Sequence, residues 1–214
     1  MARVLSEHES KLFLAGRGIA ATRETAAASL AEALAAAERI GYPVALKASG
    51  AELAHKTERG LVQLWLRGPE DVGAAWGRLR QALGAEPAEA LVQEMVADPR
   101  EFVAGLVQDP QFGPTVMFGL GGIYTEALKD VAFRVAPLTR EHALDMQEEL
   151  RGRALLDAQR GGPAADRGAL ADLLVALGRV GLDEPGLKEI DLNPVKLAAD
   201  GRPLAVDALV VWDS

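Results

Sequence analysis

The stretch Glu189-Ile190-Asp191-Leu192-Asn193-Pro194, followed by Ala199-Asp200-Gly201 and then Ala205-Val206-Asp207, decides the reading of this chain. Asp-Gly between two apolar runs is a strong β-hairpin signal. A three-residue loop over 199–201, with Gly201 left-handed, places Asn193 opposite Asp207. Asp191 lies two residues from Asn193 and so shares its face of the strand. Two carboxylates and an amide then form one small oxygen-bearing patch. Hard cations such as Mg²⁺ choose patches of this kind, keeping several waters and bridging to phosphates. The competing reading is a solvated hairpin face that carries polar residues and nothing more. A loop of two or four residues shifts the register by one and turns Asp207 to the wrong face.

Composition bounds what lies around this hairpin. The chain has 214 residues, 49% of them hydrophobic, which suits one domain or two small subdomains sharing a cleft. Net charge is -8, and no Lys/Arg block or basic stripe points to nucleic acid. An acidic protein that binds a polyphosphate needs local compensation, from a few well-placed cations or a metal. Lysine is scarce: Lys11, Lys47, Lys56, Lys129, Lys188 and Lys196 are the whole set. The absence of cysteine excludes disulfides, thiolate zinc sites and cysteine nucleophiles, and fits a cytoplasmic location. No signal-peptide core follows the first residues, and no apolar run reaches membrane-spanning length.

Helical and strand patterns interleave. Ser6-Glu7-His8-Glu9 reads as a capping box opening a helix, with Leu12 and Phe13 on its apolar side and Gly16 or Gly18 ending it. Residues 25–39 read as an Ala-rich helix closed by Gly41. A short strand follows over 44–48, with Val44 and Leu46 on one face and Ala45 and Lys47 on the other. Residues 49–60 are a polar loop, 62–66 a strand, and Pro69 opens a helix with Val72, Ala75, Trp76, Leu79 and Leu83 along its apolar stripe. Strands are expected over 90–96, 102–108, 115–120 and 131–135, and helices over 141–150 and 168–180. The glycine-bearing run 151–167 is a connector or a partly formed helix. Short turns between the central strands imply antiparallel pairing and an α+β (mixed α/β) fold.

Several side chains along this framework carry chemistry. Lys47 sits at the end of an apolar strand, where an ammonium must reach solvent or meet an anion, because a buried unpaired charge is costly. His55, in the loop His55-Lys56-Thr57, is either a surface histidine or a nucleophile that takes a phosphoryl group near pH 7. Leu91-Val92-Gln93-Glu94-Met95-Val96 turns polar just before a bend. Such a strand end can offer backbone groups to an adenine edge, and Glu101 just beyond can accept from ribose hydroxyls. Gly119-Leu120-Gly121-Gly122 either brings amides close to phosphates or makes a tight turn. It is not a Walker A loop, since no GK[ST] follows.

Together these residues resemble the ATP-grasp domain of NDP-forming acyl-CoA synthetases. The nearest likeness is to the β subunit of the ADP-forming acetyl-CoA type, and a more distant one is to succinyl-CoA synthetase β. The resemblance covers nearly the whole chain. It is carried by Leu46-Lys47 with Ser49, by His55-Lys56-Thr57, by Leu91-Val92-Gln93-Glu94, by Phe112-Gly113-Pro114 running into Phe118-Gly119-Leu120-Gly121-Gly122, and by Glu189-Ile190-Asp191-Leu192-Asn193-Pro194 with Val206-Asp207.

The resemblance implies one ATP-grasp domain over 1–214. An N-terminal helix lies within 1–19, a lysine and histidine-loop lobe spans 20–95, and a metal-site lobe spans 96–214, with a nucleotide cleft between the lobes. It assigns Lys47 to the nucleotide phosphates, Glu94, Met95 and Val96 to the adenine edge, and Glu101 to the ribose. Asn193 and Asp207 would ligate Mg²⁺, with Asp191 beside them. His55 would carry a phosphoryl group from ATP toward a second histidine on a CoA-binding subunit. The chain departs from the family at Gly60-Leu61, where two glycines are common. The cofactors implied are ATP/ADP and Mg²⁺. No Rossmann-type glycine fingerprint is present to bind CoA, so the expected partner is a CoA-binding α subunit or fused domain, which would also select the acyl group. The competing functions are a carboxylate–amine ligase of the same fold and a non-catalytic nucleotide sensor in a protein acetyltransferase fusion.

Overall fold

The computed structural model describes residues 3–49, 60–84, 89–122, 129–159 and 162–213. The chain divides into two compact units. One comprises Met1–Leu5, Glu9–Ala21 and Val96–Ser214; the other comprises Ser6–His8 and Thr22–Met95. The first elements are β1 (Arg3–Val4) and α1 (Glu7–Ala15).

The smaller unit holds β2 (Glu24–Ala27), α2 (Leu30–Ile40), β3 (Val44–Ser49), β4 (Val62–Leu66), α3 (Pro69–Leu83) and β5 (Glu89–Glu94). Its sheet has the order β2-β5-β3-β4, antiparallel throughout. The helix expected over 25–39 is instead a strand followed by a helix. Thr25, Ala26 and Ala27 pair with Val92, Leu91 and Ala90 of β5, so ladder pairing overrides the helical preference of an Ala-rich run. Ser29 then caps α2 by accepting the Glu32 N–H, and Gly41, at φ 94°, ends it. Ala33, Ala36 and Ala37 are fully buried and share one core with Val44, Leu46, Ala48, Val72, Ala75, Leu79 and Val92. The alternation expected for β3 holds: Val44 and Leu46 enter that core, while Ala45 and Lys47 face the other side and are buried there as well.

The larger unit is a seven-stranded sheet. Its remaining strands are β6 (Phe102–Asp109), β7 (Gly113–Leu120), β8 (Val131–Val135), β9 (Leu187–Leu197), β10 (Pro203–Ala205) and β11 (Leu209–Trp212). The order is β1-β11-β9-β6-β7-β8, with β10 also on β9. The helices α4 (Arg140–Glu149) and α5 (Arg167–Asp183) contribute Ala143, Met146, Leu170, Leu174 and Leu177 to a core with Phe102, Ala104, Leu106, Val116, Phe118, Ile190 and Leu192. Gly181 allows this close approach, since a Cβ there would lie 2.4 Å from Leu106 Cδ1. The apolar side of α1 is half as expected: Phe13 packs on the core, but Leu12 is 60% exposed and Leu14 is buried instead.

Among its described residues, the connector expected over 151–167 contains one 3₁₀ turn, Arg153–Leu156. Asp130 and Arg100 are among the side chains that anchor it. Asp130 accepts the N–H groups of Arg151 and Gly152 at 2.9 and 2.8 Å. Arg100 pairs with Asp98 and also donates to the carbonyls of Leu155, Asp157 and Pro163. This buried pair holds the Asp98 carboxyl below the usual carboxylate range, chiefly through the Arg100 hydrogen bond. Among the described residues no helix is long and apolar enough to cross a membrane.

Candidate functional site

The closing hairpin has the expected turn. Ala198 N–H donates to Arg202 O at 2.8 Å, Gly201 N–H donates to Ala198 O at 2.9 Å, and Gly201 is left-handed at φ 86°. A Cβ on Gly201 would also lie 2.2 Å from Ala164 O, so a side chain is excluded twice over. Pro203, Leu204 and Ala205 face Leu197, Lys196 and Val195. Val206 N–H then donates to Pro194 O at 2.9 Å. The same register resumes in β11, where Leu209 faces Asp191 and Val210 faces Ile190. Counted in that register, Asn193 and Asp207 come opposite each other within 206–208, a stretch that belongs to neither strand.

Against β6, the opposite neighbour, β9 bulges. Phe102 faces Val195 and Ala104 faces Leu192, so Asn193 and Pro194 together stand opposite Val103. A bulge adds twist and re-aims side chains, and it is where a proline fits inside a sheet. Burial follows the pleat: Ile190 and Leu192 enter the core, while Glu189, Asp191 and Asn193 lie on the other face. Asp191 is flanked by Leu209 and by Gly105, whose absent side chain is required because a Cβ would lie 2.8 Å from Ile190 O.

The electrostatics of this patch are those of crowded anions. The Asp191 carboxyl is pushed up to about 6, first by burial and then by the charges of Glu189 and Asp207. Among the described residues Asp191 has no basic side chain in ion-pair range. Asp207 Oδ1 accepts the Ala208 N–H at 2.8 Å. The donors are all oxygens, and like charge accumulates where solvent is partly excluded. That combination fits a hard divalent cation bound through one or two carboxylates and completed by water and phosphate oxygens. Among the described residues no cluster of three or more His, Asp or Glu side chains could by itself hold a metal ion.

Glu101 precedes β6 and pairs with Lys196 at 3.1 Å. Its carbonyl accepts the Gly121 N–H at 2.7 Å. The glycine run therefore packs tightly: a Cβ on Gly121 would lie 2.8 Å from the Glu101 carbonyl carbon, and one on Gly119 would lie 2.5 Å from Val131 Cγ1.

In the smaller unit, Lys47 meets an anion rather than solvent. Its Nζ lies 2.7 Å from Glu7 Oε1, and the two side chains are 7% and 1% exposed. The expected strand-end lysine is thus an interior one, on a strand enclosed between β4 and β5. Glu94 is held by Arg23, whose N–H and Nε both donate to its carboxylate at 2.7 Å. The Glu94 and Met95 amides are engaged with Arg23 O and Pro43 O. These two residues can therefore offer carbonyl oxygens to a ligand, while Val96 begins the larger unit. His55 lies outside the described residues.

Sequence reasoning did not find Glu7, Arg23, Glu189 or Lys196. Glu189 was legible, since it shares the two-residue spacing of Asp191 and Asn193. Glu7 reads from sequence only as part of a helix cap, and its partner lies 40 residues away.

The family model "ATP-grasp domain" matches residues 1–211. The chain is 38% identical to the β subunit of acetate–CoA ligase [ADP-forming] I of Pyrococcus furiosus, over 98% of this chain and 92% of that one. It is 42% identical to acetate–CoA ligase [ADP-forming] I of Archaeoglobus fulgidus, over 79% of this chain but 25% of that longer one. Solved structures of the dinucleotide forming acetyl-coenzyme A synthetase 1 of Ca. Korarchaeum cryptofilum match at 39% identity. The complex with coenzyme A, Ca-AMPCP and HgCl⁺ gives a TM-score of 0.92, over 99% of this chain and 94% of that one. The complex with coenzyme A and Mg-AMPPCP, its phosphohistidine segment pointing towards the nucleotide binding site, gives 0.85 over 98% and 93%. The chain therefore belongs to the ATP-grasp family, among the β subunits and β-type domains of the ADP-forming acetate–CoA ligases.

Proposed function

We propose that this chain is the nucleotide-binding component of an ADP-forming acyl-CoA synthetase of the acetyl-CoA type. The overall reaction is acyl-CoA + ADP + Pi = acid + CoA + ATP. The observations that support this reading are a hairpin register that is the same on both sides of residues 206–208, the pressure of the Asp207 and Glu189 charges on Asp191, and a likeness that spans nearly the whole length of free β subunits. A CoA-binding α subunit, or a fused equivalent, completes the enzyme in the cytoplasm.

Asp207 and Asn193, with Asp191 beside them, would hold Mg²⁺. When bound, the ion supplies positive charge to the nucleotide's phosphate oxygens. Lys47 adds a fixed ammonium for a phosphate oxygen. It has three N–H donors, one of which meets Glu7. The carbonyl oxygens of Glu94 and Met95 accept from the adenine amino group, and the Val96 N–H serves a ring nitrogen. Glu101, steadied by Lys196, accepts from the ribose hydroxyls. His55 attacks the terminal phosphorus: an N–P bond forms, the bridging O–P bond breaks, and ADP leaves. Transfer through a histidine divides one displacement into two in-line steps.

The test is incubation with γ-labelled ATP and Mg²⁺, followed by acid treatment and mapping of the label. Native protein is expected to carry an acid-labile label on His55, and His55→Ala none. Full acyl-CoA synthesis by His55→Ala with the partner subunit would remove the relay.

A further inference from the structure

The Glu7–Lys47 pair has a consequence for how tightly nucleotide is held. The two atoms are 2.7 Å apart and the side chains almost wholly enclosed, so the ammonium already faces a counter-charge within the smaller unit before any ligand arrives. To a polyphosphate, the Glu7 carboxylate offsets part of the positive charge of the ammonium. We propose that Glu7 is an affinity-setting residue, a resident anion that competes with nucleotide phosphate for the Lys47 ammonium and keeps nucleotide exchangeable. This inference rests on the assignment of Lys47 to the phosphates.

Two physical terms oppose each other, and they can be separated. Glu7 orders the flexible lysine stem, which favours binding by preorganisation. Its charge repels phosphate and offsets the ammonium, which disfavours binding. The substitution Glu7→Gln keeps a carbonyl oxygen where Lys47 can donate to it and removes only the charge. Ligand-free Glu7→Gln then carries a buried ammonium without this counter-charge and is less stable. Phosphate restores the missing negative charge on binding, so nucleotide gains what the free protein lost. Stability and affinity therefore move in opposite directions. A carboxylate with a merely structural role has no such signature, because its loss weakens both or leaves affinity alone.

The experiment is calorimetric titration of a non-hydrolysable ATP analogue with Mg²⁺ into native chain, Glu7→Gln and Lys47→Met at pH 7, with melting curves of each, with and without nucleotide. Glu7→Gln is expected to melt lower without nucleotide. It is expected to bind about tenfold more tightly, within the range by which contacting residues couple, and to gain more in melting temperature on saturation than native chain. Unchanged or weaker binding by Glu7→Gln, with Lys47→Met clearly impaired, overturns the inference and leaves the Lys47 assignment standing. Native-like binding by Lys47→Met overturns that assignment, and the inference with it. Should Glu7→Gln fail to fold even with nucleotide, Glu7→Asp, which lengthens the pair but keeps the charge, is read instead. Tighter binding supports the proposal, and unchanged or weaker binding overturns it.

Discussion

The two units treat charge in opposite ways. In the smaller one, Lys47 and Glu7 are buried together and compensate each other at 2.7 Å. In the larger one, Asp191 is pressed toward Asp207 and Glu189, and its carboxyl is pushed up to about 6. The first arrangement sets a cation directly against an anion. The second is a concentration of like charge in which burial and two neighbouring carboxylates press on Asp191, and such arrangements gather at functional sites. Elsewhere in the larger unit, a buried cation is matched as fully as Lys47 is: Arg100 with Asp98 and three carbonyls. The anionic patch is therefore a local exception and not a habit of the sheet.

Substitutions break or sharpen this contrast. Lys47→Met strips the lysine from a carboxylate that is 1% exposed, and is expected to cost about 3–5 kcal/mol of stability, read by urea unfolding of the ligand-free chain. Asp191→Asn should do the reverse. A carboxyl whose folded value is raised contributes stability below its unfolded value and loses it as pH rises through about 6. At pH 8 native chain carries the whole penalty, so the variant should be more stable by about 1–3 kcal/mol. That advantage should fade as pH falls toward 4. A variant no more stable than native at pH 8 would show that the patch is not strained. The smallest effect belongs to Arg23→Ala. Arg23 is 67% exposed in its pair with Glu94, so its loss should cost under about 1 kcal/mol in the same unfolding assay. A larger cost would mean that burial is not what separates these pairs.

How far the sequence carried the reading depended on how local each signal was. Asp200-Gly201 fixed a tight turn, and a tight turn sets the facing pairs that follow, so the register of 195–197 against 203–205 and of Asp191 against Leu209 was legible. The bulge at Asn193 and Pro194 was not, because it arises from pairing with β6, some 90 residues earlier. The strand at Glu24–Ala27 was hidden for the same reason: its alanines favour helix until β5 is there to pair with. Lys47 was recognised as needing an anion, but Glu7 could not be chosen among the acids without the fold. The glycines at 119 and 121 were seen, yet their steric cause lies in Val131 and Glu101, which no local pattern reveals.

The central claim is that the crowded carboxylates of the larger sheet are a cation site serving a nucleotide. It is tested most directly by calorimetric titration of a non-hydrolysable ATP analogue at pH 8, with and without Mg²⁺, into native chain and Asp207→Ala. Native chain should bind the analogue at least about tenfold more tightly with Mg²⁺, and Asp207→Ala should lose that dependence. Equal affinity with and without Mg²⁺ in native chain, or an undiminished Mg²⁺ effect in Asp207→Ala, would contradict it.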